Sequence, residues 1–290
     1  MPACHKQRLK RAGGLAFRRA VSAAARLLDL GAQLVEELPV VAYSARFERV
    51  AIDGSYAAQP RYLEDGWHER GLCPYERRAL ASFFPEPPAR LLMHGVGGGR
   101  ELAALLAAGY AVEGYEPVGR LVDHANGRLA SCGAPLVRTG SMQSWATEPS
   151  GTFDGVFLGW GAWGHVIRRA DRLAVLGAFR RVCPTGPVFL SFYRGEPPFD
   201  FYERVAEPDT LLHPHWDRRA QRFMRDVVRE RWLRLPPIER GTYWNALKGC
   251  FFHATEEWEL REEVNAAGYE VAFLEANAWR FPNAVLLPRA

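Results

Sequence analysis

Apolar and polar positions follow two different rhythms through the middle of this chain. Short, nearly continuous apolar runs lie at Arg90–His94, Ala111–Tyr115, Pro135–Arg138, Phe153–Gly159 and Pro187–Tyr193. Between them, apolar residues recur at helical spacing over Arg100–Ala108, Val118–Ala130 and Arg168–Val182. Apolar runs that alternate with helices predict βαβ units, whose parallel strands are covered on both faces.

The predicted organisation is an N-terminal extension followed by one α/β domain that contains an inserted lid. Residues 1–87 have mostly helical spacing and are predicted to form an N-terminal helical extension or cap. Residues 88–290 are predicted to form a doubly wound α/β domain with a mostly parallel seven-stranded sheet. Within it, residues 194–250 are rich in proline, aromatic residues and arginine, and are predicted to be an inserted lid with a helix at Trp216–Leu233. After residue 250, helical and strand patterns alternate again, with a helix capped by Thr255 and strands at Tyr269–Leu274 and Asn283–Leu287.

Composition narrows the class of protein only a little. The chain is 48% apolar and 24% charged, which is typical of a globular protein. Its net charge of +4 is too small to indicate nucleic-acid binding unless it is locally concentrated. The five cysteines form no C-x-x-C pair, so neither a disulfide framework nor a metal site is predicted. We therefore expect a cytoplasmic protein with reduced thiols.

The N-terminus is strongly basic between Lys6 and Arg26, with Asp29 as the first acidic residue. This pattern is found in organellar transit peptides and in basic amphipathic helices that bind membranes. The alternative that we favour is a surface helix whose Leu15, Val21, Leu27 and Leu28 face the body of the protein. No stretch reaches the roughly 20 apolar residues needed to span a bilayer.

A glycine-rich turn follows the first predicted strand directly after His94. Gly95, Gly97 and Gly99 have the spacing G-x-G-x-G and precede a predicted helix. Glycines at this place allow a sharp turn and leave backbone N–H groups open to a ligand at a helix N-terminus. The dinucleotide pattern G-x-G-x-x-G does not fit, because its last position falls on Arg100 or Leu102.

A carboxylate ends the second predicted strand at Glu116, directly before Pro117. In nucleotide-binding α/β folds, an acid at this place accepts hydrogen bonds from the ribose hydroxyls. The alternative is a solvated loop acid with no ligand. The glycine turn one strand away favours the ribose role.

Together with three further segments, these motifs resemble the class I S-adenosylmethionine-dependent methyltransferases, which are Rossmann-like. The resemblance covers about residues 88–194 and 251–290. It rests on the turn and Glu116, on Gly140-Ser141-Met142, on the run at 153–159 and on the segment at 179–187. It implies S-adenosyl-L-methionine as the cofactor and S-adenosyl-L-homocysteine as the product. The implied cofactor-binding residues are His94, Gly95, Gly97, Gly99, Glu116, Pro117, Ser141, Met142, Gly159, Trp160 and Tyr62.

The sequence departs from the family pattern at two positions. Met93 stands where the family usually has an acid that orients the amino group of the cofactor. Ser141 replaces the acid that reads the adenine amino group. Other groups of this chain must therefore bind the amino group and the adenine of the cofactor.

Candidate catalytic residues come from the loops expected near the carboxyl ends of the strands. His165 and His253 are the two candidates for a general base, and each has a structural role as its alternative. Trp163, Tyr193, Arg194 and Tyr243 are expected to line a substrate pocket. The predicted function is methyl transfer to a small-molecule acceptor.

Two other functions stay open at this point. One is a non-catalytic protein that binds S-adenosylmethionine or another nucleoside, which the changes at Met93 and Ser141 allow. The other is an RNA methyltransferase that uses the arginine-rich lid, although nucleic acid is the less favoured partner. The sequence also leaves a homodimer open.

Overall fold

The computed structural model describes residues 21–32, 34–132, 137–142, 152–193, 218–245, 249–276 and 281–289. The chain divides into two compact units. One consists of Met1–Tyr43 and His215–Ile238, and the other of Ser44–Pro214 and Glu239–Ala290. The predicted boundary between residues 87 and 88 falls inside the second unit.

The second unit is built on a seven-stranded sheet. Nine strands are described: β1 (Arg90–His94), β2 (Ala111–Glu116), β3 (Val137–Thr139), β4 (Gly155–Leu158), β5 (Val188–Ser191), β6 (Thr242–Asn245), β7 (Cys250–His253), β8 (Tyr269–Glu275) and β9 (Asn283–Pro288). The order in the large sheet is β3-β2-β1-β4-β5-β9-β8. All neighbours pair in parallel except β9, which is antiparallel to β5 and to β8. The predicted doubly wound, mostly parallel seven-stranded sheet is confirmed.

Helices cover both faces of this sheet. The longer ones in this unit are α1 (Ala45–Ala57), α2 (Pro74–Phe83), α3 (Arg100–Ala107), α4 (Gly119–Arg128), α5 (Arg169–Val182) and α6 (Glu257–Ala266). Successive strand residues point to opposite faces, so Leu92 joins a core with α5 and α6 while Leu91 and Met93 join a core with α2, α3 and α4. This double burial explains why the central strands are apolar at nearly every position.

Most predicted elements lie within two residues of the observed ones, and three predictions need correction. Thr255 does not cap the last helix: Glu256 takes the cap position, and its N–H donates to the Glu259 carboxylate at 3.4 Å. Within its described residues, the predicted helix Trp216–Leu233 is an α-helix at Arg218–Arg222 and continues as a π-helix at Phe223–Trp232. The hairpin of β6 and β7 was not predicted, and the predicted lid boundary at residue 250 falls within it.

The described part of the first unit is helical over residues 21–32 and 34–36, at Leu38–Val41 and at residues 218–232, and it is irregular over residues 233–238. Val21, Leu27 and Leu28 are exposed, which contradicts the prediction that they face the body of the protein. Leu15 lies outside the described residues. No helix in the described ranges combines the length and apolar character needed to cross a membrane.

The arginines of the predicted lid are not all available to a ligand. Arg229 is buried, and its guanidinium donates to the carbonyl oxygens of Pro236 at 2.9 Å and Val41 at 2.6 Å. Arg225 pairs with Asp226 at 2.7 Å. At least part of this basic segment therefore serves the unit's own structure.

A buried ion network ties α5 to α6 in the second unit. The Arg172 guanidinium is fully buried and contacts the carboxylates of Glu239, Glu259 and Glu263 at 2.7, 2.9 and 2.7 Å. Removal of one partner from such a network leaves buried charges without compensation. The network should therefore matter more for stability than any surface ion pair of this unit.

We expect Arg172→Met to lower the free energy of unfolding by about 3–5 kcal/mol, because it leaves the buried carboxylates unpaired. The matched control is Arg261→Met on α6, whose side chain is 51% exposed and pairs with Glu257 at 2.9 Å. That change should cost no more than about 1 kcal/mol. Urea denaturation of the three proteins measures both values, and equal losses would contradict the role given to Arg172.

Candidate functional site

A cavity of about 520 Å³ lies at the carboxyl ends of the central strands. Strand order reverses between β1 and β4 at this edge, which is where ligands bind in open α/β sheets. Its walls come from α1, from the segment before α2, and from the turns after β1, β2, β3 and β4. The volume lies within the range of small-molecule sites.

The glycine turn after β1 forms one wall with bare backbone. Gly95 and Gly97 have φ values of +68° and +57°, a region in which side chains are strained. Gly98 is required for a different reason: a Cβ there would lie 1.9 Å from the carbonyl oxygen of Tyr62. The short 3₁₀ turn Pro60–Leu63 can therefore cross directly over the glycine turn, and Tyr62 lines the cavity.

Glu116 connects the end of β2 to this turn. Its two carboxylate oxygens accept hydrogen bonds from the N–H groups of Gly97 at 2.9 Å and Val118 at 3.0 Å. The residue is only 5% exposed, and burial raises the pKa of its carboxyl to about 7. The alternative of a solvated loop acid is therefore wrong. Glu116 lines the cavity with a carboxylate that the surrounding backbone holds in place.

Arg100 and two acids form the wall next to the glycine turn. The Arg100 guanidinium lies 5.4 Å from the ring centre of Trp67 and 5.0 Å from that of Trp160. It pairs with Glu76 at 3.0 Å and also contacts Glu101. Burial raises the pKa of the Glu101 carboxyl to about 7. In the sequence, Arg100 served only to exclude the dinucleotide-binding pattern. In the structure, it pairs with both acids of this wall.

Helix α1 forms the opposite wall, and motif reasoning missed most of its contribution. Its residues Glu48, Arg49, Ile52, Asp53 and Tyr56 line the cavity. These positions carry no recognised motif, and the only signal in the sequence is their spacing of three and four residues, which places them on one helical face.

A tyrosine and a histidine meet at this wall. The Tyr56 hydroxyl lies 2.7 Å from Nε2 of His165, and the two rings pack edge to face. Burial, with several acidic and phenolic neighbours, raises the pKa of Tyr56 well above its ordinary value, so its phenol is neutral. His165 thus lines the cavity with its ring oriented by a neutral hydroxyl group.

The structure brings most of the predicted cofactor-binding residues together around the cavity. Those that line it are Tyr62, Gly95, Gly97, Glu116, Pro117, Ser141, Met142, Gly159 and Trp160. His94 does not: it is fully buried and stacks on Tyr115 at 5.1 Å, and burial lowers the pKa of its imidazole to about 3. Gly99 does not either, because it precedes α3 and faces Ala125 in the core.

Of the two histidines predicted as general bases, one lines the cavity and one does not. Unlike His165, His253 does not line the cavity; its Nε2 lies 3.1 Å from both Glu259 oxygens. Glu239, His253 and Glu259 place potential metal ligands within 4.8 Å of one another. Arg172 contacts both of these carboxylates, so a cation is already present there.

The aromatic residues predicted for the substrate pocket pack elsewhere. Trp163 is fully buried in the core that α5 and α6 cover. Tyr193 packs on Phe252 with ring centres 4.7 Å apart, and Tyr243 packs on the same ring at 6.0 Å. None of the three lines the cavity. Arg194 lies outside the described residues.

Among the comparisons with known proteins, only the comparison with solved structures finds similar proteins. No family model matches the chain, and no curated protein matches it in sequence. The CcbJ methyltransferase from Streptomyces caelestis is 16% identical, with a TM-score of 0.51 over 81% of this chain and 98% of its own. A SAM-dependent methyltransferase from Methanosarcina mazei is 16% identical, with a TM-score of 0.49 over 76% and 98%.

A third similar structure is SAM-bound CalS10, an amino pentose methyltransferase from Micromonospora echinaspora involved in calicheamicin biosynthesis. It is 19% identical, with a TM-score of 0.49 over 79% of this chain and 94% of its own. At these identities, the likeness to the first structure shows a shared fold. The Rossmann-like fold that the motifs predicted is thereby confirmed.

The buried carboxyl of Glu116 predicts a specific pH dependence of stability. Its pKa is raised from 4.5 to about 7, so the folded state holds this proton more tightly than the unfolded state. Its contribution to stability should therefore decrease as the pH rises from about 4.5 to about 7. Glu116→Gln removes this titration.

The stability of Glu116→Gln relative to the natural protein should then increase across that interval, by up to about 1.4 kcal/mol per pH unit, and stay level above pH 7. Urea denaturation at several pH values gives this difference. Glu113→Gln, on the same strand but paired with Arg90 at 3.1 Å, is the matched control for the loss of a carboxylate. A Glu116→Gln difference that is constant with pH would contradict the assignment.

Proposed function

We propose that this chain is a class I S-adenosylmethionine-dependent methyltransferase that transfers a methyl group to a small-molecule acceptor. The observation that supports this most directly is the pairing of Glu116 with Gly97 at the wall of the cavity. It joins an acid suited to ribose hydroxyls with bare backbone suited to close approach of a ligand.

The residues of the cavity fit this cofactor. Gly95 and Gly97 would lie against its methionine and ribose portions, and Glu116 would accept hydrogen bonds from the ribose hydroxyls. Ser141 and Met142 would contact the adenine. The cofactor supplies a methyl group on a positively charged sulfur, which is transferred to an acceptor by direct displacement.

The protein's main contribution to such a displacement is to position the reactants and to exclude water. Correct positioning alone can lower a barrier by roughly 7–11 kcal/mol. Trp67 and Trp160 pack at 4.5 Å, and Tyr62 closes the cavity over the glycine turn. These aromatic rings provide apolar walls, within which water is replaced by fixed groups of the protein.

An acceptor that carries an O–H or N–H proton must lose it when the new bond to carbon forms. We assign His165 to take that proton, because its imidazole lines the cavity. Nε2–H would donate to the hydroxyl of Tyr56 at 2.7 Å, which orients the ring and makes Nδ1 the atom that would accept the proton. His253 is the weaker candidate for this role, since it does not line the cavity and its Nε2 lies 3.1 Å from the Glu259 carboxylate.

The second candidate function is a protein that binds the nucleoside without turnover. Met93 and Ser141 favour it, because both replace acids that the family uses on the cofactor. An RNA substrate has less support, since Arg229 of the basic segment is buried.

S-adenosylmethionine and S-adenosylhomocysteine should both raise the thermal unfolding midpoint, and NAD should not. A ligand at about 100 times its dissociation constant stabilises by roughly 2.7 kcal/mol, which corresponds to several degrees. Glu116→Ala should abolish most of the shift, while the control Glu113→Ala should keep it. The proposal fails if neither sulfur nucleoside shifts the midpoint of the folded natural protein.

His165→Asn should lower kcat about 10²- to 10⁴-fold for an acceptor that must lose a proton, with little change in the dissociation constant of S-adenosylhomocysteine. The assay follows formation of S-adenosylhomocysteine with alcohols, phenols and amines as acceptors. Tyr56→Phe should have a smaller effect, because it removes only the orienting hydroxyl. An unchanged kcat in His165→Asn would rule out this base, and binding without transfer to any acceptor would favour the non-catalytic function.

A further inference from the structure

The cavity wall formed by Glu76, Arg100 and Glu101 has an excess of negative charge. Two carboxylates share one guanidinium, and the three side chains are between 0% and 6% exposed. Two further titratable groups close to Glu101 or Arg100 are Cys73 and Tyr75. Burial raises the pKa of both, to about 11 for the Cys73 thiol, so neither supplies a charge near neutral pH.

Arg61 and Arg70 lie 5.4 and 5.5 Å from the ring centre of Trp67, which Arg100 also approaches, but within the described residues neither forms an ion pair with these carboxylates. Two carboxylates therefore share one directly paired cation, which leaves an excess of one negative charge beside the cavity when both are ionised.

This charge lies at a defined place in the cavity. A Cβ atom on Gly159 would be 2.7 Å from Oε1 of Glu101 and 3.1 Å from Oε1 of Glu76. The two carboxylates thus lie against the bare backbone that follows β4. Gly159, Glu101 and Gly95 all line the same cavity, so the excess charge borders the space next to the glycine turn.

Arg100 is held so that it cannot turn away from this wall. It makes two hydrogen bonds with Glu76, at 3.0 and 3.1 Å, and its guanidinium lies near the rings of Trp67 and Trp160. Such fork-like pairing fixes orientation as well as charge. Glu76 accepts from Arg100 with both carboxylate oxygens, whereas Glu101 accepts from it with Oε1 alone. Glu101 is therefore the carboxylate that is better placed to meet another cation.

We propose that Glu101 binds the positively charged amino group at the amino-acid end of S-adenosylmethionine, with Glu76 and Arg100 holding it in position. This inference rests on the proposed function. It also accounts for Met93, which is fully buried in the core that α2, α3 and α4 cover and cannot reach a ligand in the cavity.

In the absence of that amino group, a proton balances part of the charge. Burial, together with the nearby charge of Glu76, raises the pKa of Glu101 to about 7 although Arg100 acts in the opposite direction. A cation that binds to Glu101 must displace this proton. Binding of the amino group should therefore be stronger at a pH above that pKa than below it.

The experiment measures the dissociation constants of two ligands by isothermal titration calorimetry. One is S-adenosylhomocysteine, and the other is its deamino analogue, S-(5′-adenosyl)-4-thiobutanoate, which keeps the carboxylate and ribose but lacks the amino group. Glu101→Gln should weaken the first about 10- to 100-fold, as expected when a buried charge loses its partner, and change the second much less. The amide oxygen of the new side chain can still accept a hydrogen bond from Arg100, and Glu113→Gln is the matched control that should change neither.

The outcomes separate this inference from the proposed function. If the natural protein binds neither ligand, the proposed function fails and this inference fails with it. If it binds both, and Glu101→Gln weakens both equally or neither, only the role of Glu101 is overturned. Glu116→Gln should weaken both ligands equally, because both carry the ribose.

A second measurement tests the role of Glu101 in the natural protein, so that a folding defect in the variant cannot affect the result. Between pH 5.5 and 7, the ratio of the two affinities should change in favour of S-adenosylhomocysteine, approaching tenfold per pH unit at the acidic end. The titration of Glu116 acts on both ligands alike and cancels in the ratio. A ratio that is constant with pH would overturn the assignment of Glu101.

Discussion

Parallel pairing of β1 with both β2 and β4 is the constraint on which the whole site depends. It brings three strand ends to one edge of the sheet, so the turns that follow them face a common space. The glycine turn, Glu116 and Gly159 then become neighbours although they are far apart in the chain. Glu116 adds rigidity to this arrangement, because one carboxylate joins the end of β2 to the turn after β1.

Two arginines organise the buried charges of the same unit, and they do so in different ways. Arg172 meets three carboxylates, but His253 and Arg169 add further donors there, and Glu239 and Glu259 are 29% and 14% exposed. Water and neighbouring groups can therefore balance that network. Among the described residues, no second cation pairs with the carboxylates around Arg100, which have almost no exposure and yet border a cavity. The network around Arg172 is therefore suited to holding α5 and α6 together, and the group around Arg100 is suited to contact with a ligand.

Local patterns predicted the sheet and half of the site well. The turn, Glu116 and the residues after β3 and β4 lie within a few positions of a strand end, and the topology of a parallel sheet then places them together. The same logic failed for His94 and Trp163. His94 is still within β1, where double burial places it in the core, and Trp163 lies in a short 3₁₀ turn that packs inward.

The remaining site residues could not be predicted for other physical reasons. Helix α1 reaches the cavity through tertiary packing, and nothing in its local sequence indicates the partner of its inner face. Arg100 and Glu101 directly follow the glycine turn, but their role depends on Glu76, which comes from a separate helix. The packing of Tyr193 and Tyr243 against Phe252 was not predicted, because the sequence pattern did not reveal β7 as part of a hairpin.

Gly98 has a consequence for how such sites diversify. It stands outside the G-x-G-x-G spacing, and yet no other residue fits beneath the carbonyl of Tyr62. A homologue with a side chain at this position must route its N-terminal segment differently and so surround its ligand with other groups. The residue between two motif glycines therefore decides which segment of the chain can cover this end of the site.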